Sequence, residues 1–231
     1  MALAKLKADA TQARLAGLAL PQGLETARKD ALNRLAVMGL PTKRDEYWKY
    51  TDPTTLTDAD ALPAAVFDGA EPMLFDAVER IKIVFVDGVF DPDASDDLVG
   101  EGVEIARLGD AAAADVHWAK EFYGTLETRG QTPVHGPLAT LNTAFATDGV
   151  VIRATAKVAK PVSLIYLHKD QASDVMLHSL VKVEAGAALT LLENGPAAAR
   201  FNSVLEVDVA DGGAFHHVRA QGRDHERRAV T

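Results

Sequence analysis

The side chains best suited to chemistry lie near the end of the 231-residue chain. His216, His217 and His225, with Asp224 and Glu226 close by, are ligand types for zinc, iron or manganese. If His216 and His217 lie on a strand, they point to opposite faces and cannot easily hold one ion. No His-x-His or Glu-x-x-His spacing accompanies them. The sequence therefore leaves open whether His216 or His217 binds a metal.

A pair of carboxylates suggests a second kind of site. Glu206 and Asp208 alternate with apolar residues, which places both acids on the outward face of one strand. A glycosidase needs two carboxyl groups flanking a cleft, so we interpret this pair as part of a solvated face. His168 and His178 are isolated in the sequence, and we predict that both lie on the surface of the β region.

Several reaction classes are excluded by what the chain lacks. It has no cysteine, so disulfides, thiolate zinc sites, cysteine-held clusters and a cysteine nucleophile cannot form from these residues. It has neither a Gly-x-x-x-x-Gly-Lys-Ser/Thr phosphate loop nor a Gly-x-Ser-x-Gly nucleophile elbow. We therefore predict that this chain does not itself hydrolyse nucleotide and that it is not a serine or cysteine hydrolase.

Charge and hydropathy limit the partners. The 33 acidic and 24 basic side chains give a net charge of -9, which repels phosphate backbones and anionic lipid surfaces. Charged residues interrupt the apolar residues of Met1 to Leu20, so this segment does not resemble a signal peptide or a membrane span. We expect a cytoplasmic protein that binds neither nucleic acid nor membrane.

The amino-terminal pattern is helical. Apolar spacing predicts one helix over Ala2 to Leu18 and a second from about Leu24 to Met38, with Gly39 as its carboxy-terminal cap. Thr42 is placed to cap a short third helix by accepting from the backbone of Asp45. Thr51 to Pro72 is predicted to be a connecting segment with at most one helical turn.

The pattern then changes to strands. Asp87-Gly88 between two apolar runs predicts a hairpin beginning at Ile81, Val103 to Leu108 is another candidate strand, and helices are predicted over Asp110 to Leu126 and Pro137 to Ala146. Beyond these, six strands are predicted near Val150–Arg153, Val162–Leu167, Leu177–Val183, Ala188–Glu193, Ser203–Val209 and Ala214–Arg219. No helix fits between these six strands, which excludes a doubly wound sheet and leaves a sandwich, a jelly roll or a β-solenoid.

The resulting fold class is α+β dominated by β. We predict three regions: a helical region with its connecting segment over 1–72, a hairpin with helices over 73–149, and a strand-rich core over 150–231. The last residues, Arg227 to Thr231, enter a further strand, so we expect either a truncated chain or a missing partner.

Four segments resemble the SufD family, in the same order along the chain. The most specific is Gly39-Leu-Pro-Thr-Lys-Arg-Asp-Glu-Tyr-Trp-Lys-Tyr-Thr51. The others are Phe85-Val-Asp-Gly-Val-Phe90, Leu141-Asn-Thr-Ala-Phe145 leading into Gly149-Val-Val-Ile152, and Ala214-Phe-His-His-Val-Arg-Ala-Gln221. The segment from Arg44 to Thr51 favours SufD over its paralogue SufB. The chain is thus similar to the amino-terminal portion of a SufD protein.

The resemblance implies a helical amino-terminal domain followed by a right-handed parallel β-helix. It also implies a scaffold role in a complex with a SufB-type subunit and a SufC-type ATPase, where an iron–sulfur cluster is held transiently by the assembly. For this chain alone, the resemblance implies no catalytic residue, no intrinsic cofactor and no enzymatic activity. Isolated from these partners, the chain is expected to be able to form a homodimer. The family's SufC-docking helices and its histidine facing a SufB cysteine match no position here.

Two other functions remain as alternatives. One is a SufB-like role as the direct cluster acceptor, and the other is a β-helix or jelly-roll enzyme that uses a metal or acts on carbohydrate. The simplest interpretation of the signature segment, Gly39 to Thr51, is structural. Trp48 packs in the helical domain, while Arg44, Asp45 and Glu46 form local charge pairs beside Tyr50.

Overall fold

The computed structural model describes residues 2–66, 74–114, 117–195, 198–221 and 226–231. Its α-helices are α1 (Ala2–Ala16), α2 (Glu25–Met38), α3 (Thr54–Thr57), α4 (Leu108–Ala113), α5 (Trp118–Phe122), α6 (Thr125–Arg129) and α7 (Pro137–Phe145). No helix within these ranges is both long enough and apolar enough to cross a membrane. The predicted boundary at 72/73 lies outside the described residues, and the division into three regions stays a prediction.

The end of α2 follows the sequence closely. Gly39 has a φ of 64° and its N–H donates to the carbonyl of Leu35 at 2.8 Å, as expected of a glycine cap. The cap predicted at Thr42 is wrong in direction. The Asp45 carboxylate instead accepts from the Thr42 backbone N–H at 2.6 Å. Asp45 also precedes a 3-10 turn over Glu46–Trp48, but its side chain accepts no hydrogen bond from that turn.

The stretch predicted to be helical, Asp110 to Leu126, is occupied by three separate short helices: α4, α5 and the start of α6. The chain turns at Gly124, whose φ is 75°. Any other residue is disfavoured at this position for two reasons. The backbone is in the left-handed region, and an added Cβ would lie 2.9 Å from the Thr143 side chain. Residues 115–116 lie outside the described residues.

The strands agree well with the sequence pattern. They are β1 (Ile81–Val86), β2 (Val89–Phe90), β3 (Val99–Gly100), β4 (Val103–Arg107), β5 (Val150–Ala154), β6 (Val162–Leu167), β7 (Asp174–Val183), β8 (Ala188–Gly195), β9 (Arg200–Val209), β10 (Ala214–Gln221) and β11 (Arg228–Val230). The hairpin at Asp87-Gly88 is confirmed, and β6 has the predicted bounds.

These strands form two sheets. Sheet I has the order β10-β8-β6-β1-β2, and sheet II has the order β11-β9-β7-β5-β4-β3. Pairing is parallel except at β1–β2, β3–β4 and β4–β5. Because a jelly roll consists of antiparallel strands, the described strands from β5 onward do not form one.

From β5 onward, consecutive strands alternate between the two sheets. From β7 onward, each strand pairs in parallel with the strand two before it, so the crossover that parallel pairing requires is a strand of the opposite sheet rather than a helix. The register places Asp174 opposite Arg200, 26 residues later, and Ala188 opposite Ala214 at the same spacing.

The main core lies between the facing sides of the two sheets. Its most buried members include Ile83, Phe85, Ile152, Leu164, Leu191 and Phe201. Burial of one such side chain stabilises the fold by about 1.5–3 kcal/mol. Alternate residues of each strand supply this core, so the period of two that predicted the strands also packs them.

The outer face of sheet II is covered by helices. Leu141 and Phe145 of α7 pack with Leu35 of α2 and with Met176 of β7. Polar contacts fix α7 on the sheet, because the Asn142 amide donates to the carbonyls of Leu177 at 3.0 Å and Asn202 at 2.9 Å. Leu141 to Phe145, one of the segments that resemble the SufD family, therefore packs α7 against sheet II.

A buried charge cluster joins α1 to the sheets. Asp174 of β7 receives Arg200 at 2.6 Å and Arg14 of α1 at 2.7 Å, and the two arginine side chains are only 2% and 3% exposed. Burial and the neighbouring Arg200 lower the pKa of Arg14, and Asp174 opposes them. One carboxylate thus serves two buried guanidinium groups, and Arg200 also donates to the backbone carbonyl of Asp58 at 2.7 Å.

Candidate functional site

The two adjacent histidines lie on β10, as predicted, and they face opposite sides of sheet I. The Nε2 of His217 lies 2.7 Å from the Glu193 carboxylate on the inward face, while His216 lies on the opposite face; both residues are exposed on β10. Glu226 accepts from the backbone N–H of Ala65 at 2.7 Å. His225 and Asp224 lie outside the described residues.

His217 belongs to a group that we call the inner polar cluster, comprising Tyr166, Glu193, His217 and Arg219. The Tyr166 hydroxyl donates to Glu193 at 2.7 Å from the strand on one side, and His217 reaches it from the strand on the other. The Glu193 side chain is 7% exposed and the His217 side chain 28%. The cluster is thus reachable from solvent through His217.

Electrostatics keep the Glu193 carboxyl ionised. Its burial raises the pKa, but hydrogen bonds from His217 and Tyr166 and the charge of Arg219 outweigh burial and lower the pKa below its usual range. Burial, reinforced by Glu193, raises the pKa of Tyr166 well above normal. Tyr166 therefore remains a hydrogen-bond donor at neutral pH.

Arg219 extends the cluster toward the end of β11. Its guanidinium lies 5.9 Å from the centre of the Phe201 ring and donates to the hydroxyls of Ser203 and Thr231. This arrangement ties β10 to β8, β9 and the end of the chain at Thr231. It does not assemble a metal site, since no group of three or more possible ligand side chains occurs among the residues described.

Sequence reasoning missed Glu193, although a signal was present. Leu189, Leu191 and Glu193 occupy every second position of β8, so the acid shares the inward face of two core leucines. An acid on a core face requires partners. The inward face of the next strand supplies His217.

We expect Glu193→Gln to lower the free energy of unfolding at neutral pH by about 1–3 kcal/mol, the usual value of hydrogen bonds to a buried charged group. Because the carboxyl pKa is lowered on folding, the lost stability is the part present above pH ~4.3 and absent in strong acid. Urea unfolding across this pH range measures it. Glu184→Gln, on a surface ion pair with Arg153, should cost less, and an equal loss in both variants would contradict the argument.

A second polar group, the outer polar cluster, lies between sheet II and its helices: His178, Glu206, Tyr123 and Glu127. His178 is fully buried and its Nε2 lies 2.7 Å from Glu206, whose side chain is 2% exposed. The predictions of a surface position for His178 and a solvated face for Glu206 are therefore wrong. Both point away from the core, as the alternation required, but the short helices cover them; Asp208 is exposed.

Glu206 completes the helix that covers it. Gly124 caps α6 without a side chain, and the Glu206 carboxylate accepts from the backbone N–H groups of Gly124 at 2.6 Å, Leu126 at 2.7 Å and Glu127 at 3.0 Å. These are the donors that a helix start leaves without partners. Burial raises the pKa of Glu206, but the bonds from His178 and from these N–H groups outweigh burial and lower it.

Glu127, on α6, is a second buried carboxylate that accepts several hydrogen bonds. Its carboxylate, with the side chain 1% exposed, binds both terminal nitrogens of Arg34, at 3.1 and 2.6 Å, and accepts from Thr140 at 2.7 Å. The Tyr123 ring lies 4.3 Å from the His178 ring, and burial raises the pKa of its hydroxyl. The cluster links α2, α6, α7 and sheet II through buried ion pairs and hydrogen bonds, which is a structural role, although the Nδ1 of His178 has no hydrogen-bond partner among the described residues.

The signature segment is arranged differently from the prediction. Trp48 packs against the helical core as expected. Asp45 pairs with Lys7 of α1 at 3.0 Å rather than with a local partner, and Arg44 and Glu46 form no ion pair with any described residue. Tyr50 is 90% exposed.

Comparison with known proteins places the chain in a family. A family model described as "SufBD protein N-terminal region" matches residues 12–164, more than half of the chain. The chain therefore belongs to the SufBD family.

Two curated relatives specify the similarity further. The chain is 25% identical over 219 residues to an iron–sulfur cluster assembly SufBD family protein of Synechocystis sp., covering 86% of this chain and 47% of the relative. It is 27% identical over 173 residues to the iron–sulfur cluster assembly protein SufD of Escherichia coli, covering 71% of this chain and 37% of that protein. The chain spans less than half the length of either relative.

Proposed function

We propose that this chain is part of a SufD-type scaffold subunit that supports iron–sulfur cluster assembly without turnover of its own. The observation that carries the proposal is the family match over residues 12–164, together with relatives named for iron–sulfur cluster assembly. The cluster is cargo of the assembled complex rather than a resident group of this chain. The partners are a SufB-type subunit and a SufC-type ATPase.

The alternating strands support the fold that this role requires. We infer that β5 to β11 form the coils of a right-handed parallel β-helix. Strand, crossover and parallel strand in one sheet are right-handed in about 98% of known cases, and β5, β6 and β7 make such a unit. A stack of coils presents long continuous surfaces, which suits a protein that holds others in position.

Co-expression of the full-length protein with the SufB-type and SufC-type proteins of its own organism tests the proposal. We expect the three to co-elute in fixed proportion through affinity and size-exclusion steps, with iron and sulfide bound to the complex and not to this subunit alone. An unrelated ATPase of similar size is the control for non-specific binding. If the subunit co-elutes with neither partner, the scaffold proposal is overturned.

The same preparation separates the scaffold from an enzyme. Elemental analysis of the isolated protein should show no stoichiometric metal, and His217→Ala should not change that result. A bound metal that is lost in the His217→Ala variant would favour a metal-dependent enzyme instead.

A further inference from the structure

The amino-terminal helix α1 is held to the rest of the protein mainly by polar contacts. Of its side chains at positions 5 and 7–16, only Thr11 and Arg14 are buried, and Leu15 is half-buried against the helical core. A helix on the surface of a globular protein normally buries an apolar stripe. Because the buried side of α1 is polar instead, its attachment depends on hydrogen bonds and charge.

Three of these contacts lie along one face of α1. Lys7, Thr11 and Arg14 are four and three residues apart, which places them on the same side of a helix. The Lys7 ammonium lies 3.0 Å from the Asp45 carboxylate, and the Thr11 hydroxyl accepts from the backbone N–H of Leu40 at 2.9 Å. Arg14 reaches Asp174 of β7 at 2.7 Å. Together they tie α1 to the loop after α2 and to sheet II.

Two of the three contacts hold α1 only weakly. The Lys7 and Asp45 side chains are 26% and 39% exposed, and an ion pair this exposed contributes little to stability. Arg14 is buried at a cost, because its Nε has no hydrogen-bond partner among the described residues and the Arg200 charge repels it. If α1 is released, the Arg14 guanidinium returns to water while Asp174 keeps Arg200 at 2.6 Å.

The packing between α1 and α2 is also open. A groove of about 390 Å³ lies between them, with Thr11 and Leu15 on one side and Ala36 and Met38 on the other. Atoms that face a gap lose the dispersion contacts that close packing provides. In the connection between the two helices, three of residues 19–22 are exposed. Few buried apolar contacts are typical of segments that open locally while the rest of a protein stays folded.

We propose that α1 is a releasable strap, which undocks as a unit while α2, α7 and both sheets stay folded. Undocking uncovers the Leu40 backbone N–H and the α1 side of the Asp174–Arg200 pair, so a partner can contact these groups only in the undocked state. The proposal does not depend on the scaffold role.

Native-state hydrogen exchange of the full-length protein at low urea concentrations, followed by mass spectrometry of its peptides, tests this proposal. We expect the α1 amides beyond the first turn to exchange together, at least about 100-fold faster than those of β5, β7 and α7, because local opening requires less free energy than global unfolding and a detached helix of this length is marginal.

Helix α7 is the internal comparison for this measurement. It has nine residues against the 15 of α1, but every one of its residues except Ala139 is buried. Helix length alone would therefore protect α1 better than α7, and the proposal predicts the opposite order. Protection of α1 equal to that of β7, or protection that rises steadily from Ala2 to Ala16 as in a fraying end, would overturn the proposal.

Two variants test the contacts that hold the strap. Thr11→Val removes the acceptor of the Leu40 N–H at a similar helix propensity, and we expect it to speed α1 exchange about tenfold or more. Asp45→Asn removes the charge opposite Lys7 and should speed it about two- to fivefold. Neither should change exchange in β7 or α7. Asp9→Asn, on the exposed side of α1, is the matched control and should change nothing.

The variants can also contradict the proposal. If Thr11→Val speeds exchange equally in α1 and β7, α1 unfolds only together with the whole protein. If neither Thr11→Val nor Asp45→Asn speeds α1 exchange, other contacts hold the helix. Either result, or an effect of Asp9→Asn as large as that of Thr11→Val, would overturn the releasable strap.

Discussion

Replacing Glu206 with alanine is expected to lower the free energy of unfolding at neutral pH by about 3–5 kcal/mol, the cost of removing one partner from a buried charged network. The variant leaves three backbone N–H groups at the start of α6 and the Nε2 of His178 buried without their acceptor. Chemical denaturation followed by far-UV circular dichroism measures the loss.

Asp208→Ala is the matched control for Glu206, because it removes an acid from the same strand face two residues further on. Asp208 is exposed, so its replacement should change stability by no more than about 0.5 kcal/mol. If the two variants lose equal stability, the carboxylate of Glu206 is not what holds α6 on the sheet.

The effect of Glu206 should depend on pH. Its carboxyl pKa is lowered on folding, so its stabilisation is fully present above the unfolded value of about 4.3 and is lost as pH falls through the lower folded value. The difference between the wild type and Glu206→Gln should therefore shrink in acid. A difference that grows in acid would mean that folding raises the carboxyl pKa instead of lowering it.

Replacing Asp174 with asparagine is expected to cost about 3–5 kcal/mol, because Arg14 and Arg200 would both remain buried without a counter-charge. Arg14→Met should cost far less, about 1 kcal/mol or nothing, because Arg200 keeps the carboxylate and one desolvated charge is removed. Urea unfolding of both variants measures the asymmetry.

The double variant provides the internal check for this cluster. Arg14→Met should recover part of the stability that Asp174→Asn loses, since it removes one of the two uncompensated charges. If the two losses of unfolding free energy simply add, or if Arg14→Met loses more than Asp174→Asn, then the Asp174 carboxylate does not stabilise both arginines as described.

The strands were readable from the sequence because burial repeats every second residue. The pattern fixed the bounds of β6 and the inward face that carries Leu189, Leu191 and Glu193. It also placed Glu206 correctly on the face away from the core. It did not reveal what covers that face, because α6 and α7 come from about 60 to 80 residues earlier.

The errors concern groups with more than one possible partner. Thr42 and Asp45 can each cap the other's backbone, and the local sequence does not show that Lys7, 38 residues away, favours the Asp45 arrangement. The helical stretch predicted from Asp110 is divided in the structure: α4 ends at Ala113, α5 begins at Trp118, and α6 begins after Gly124, where an added Cβ would lie 2.9 Å from the Thr143 side chain. These outcomes are decided by tertiary contacts.

The capping of α6 by Glu206, a residue far along the same chain, has a consequence for synthesis on the ribosome. Gly124 and Glu206 are 82 residues apart, and translation at about 5–20 residues per second separates them by roughly 4–16 seconds. A helix as short as α6 does not form stably alone. The nascent chain therefore exposes the backbone of this segment until β9 has been made, a period in which a chaperone has time to bind it.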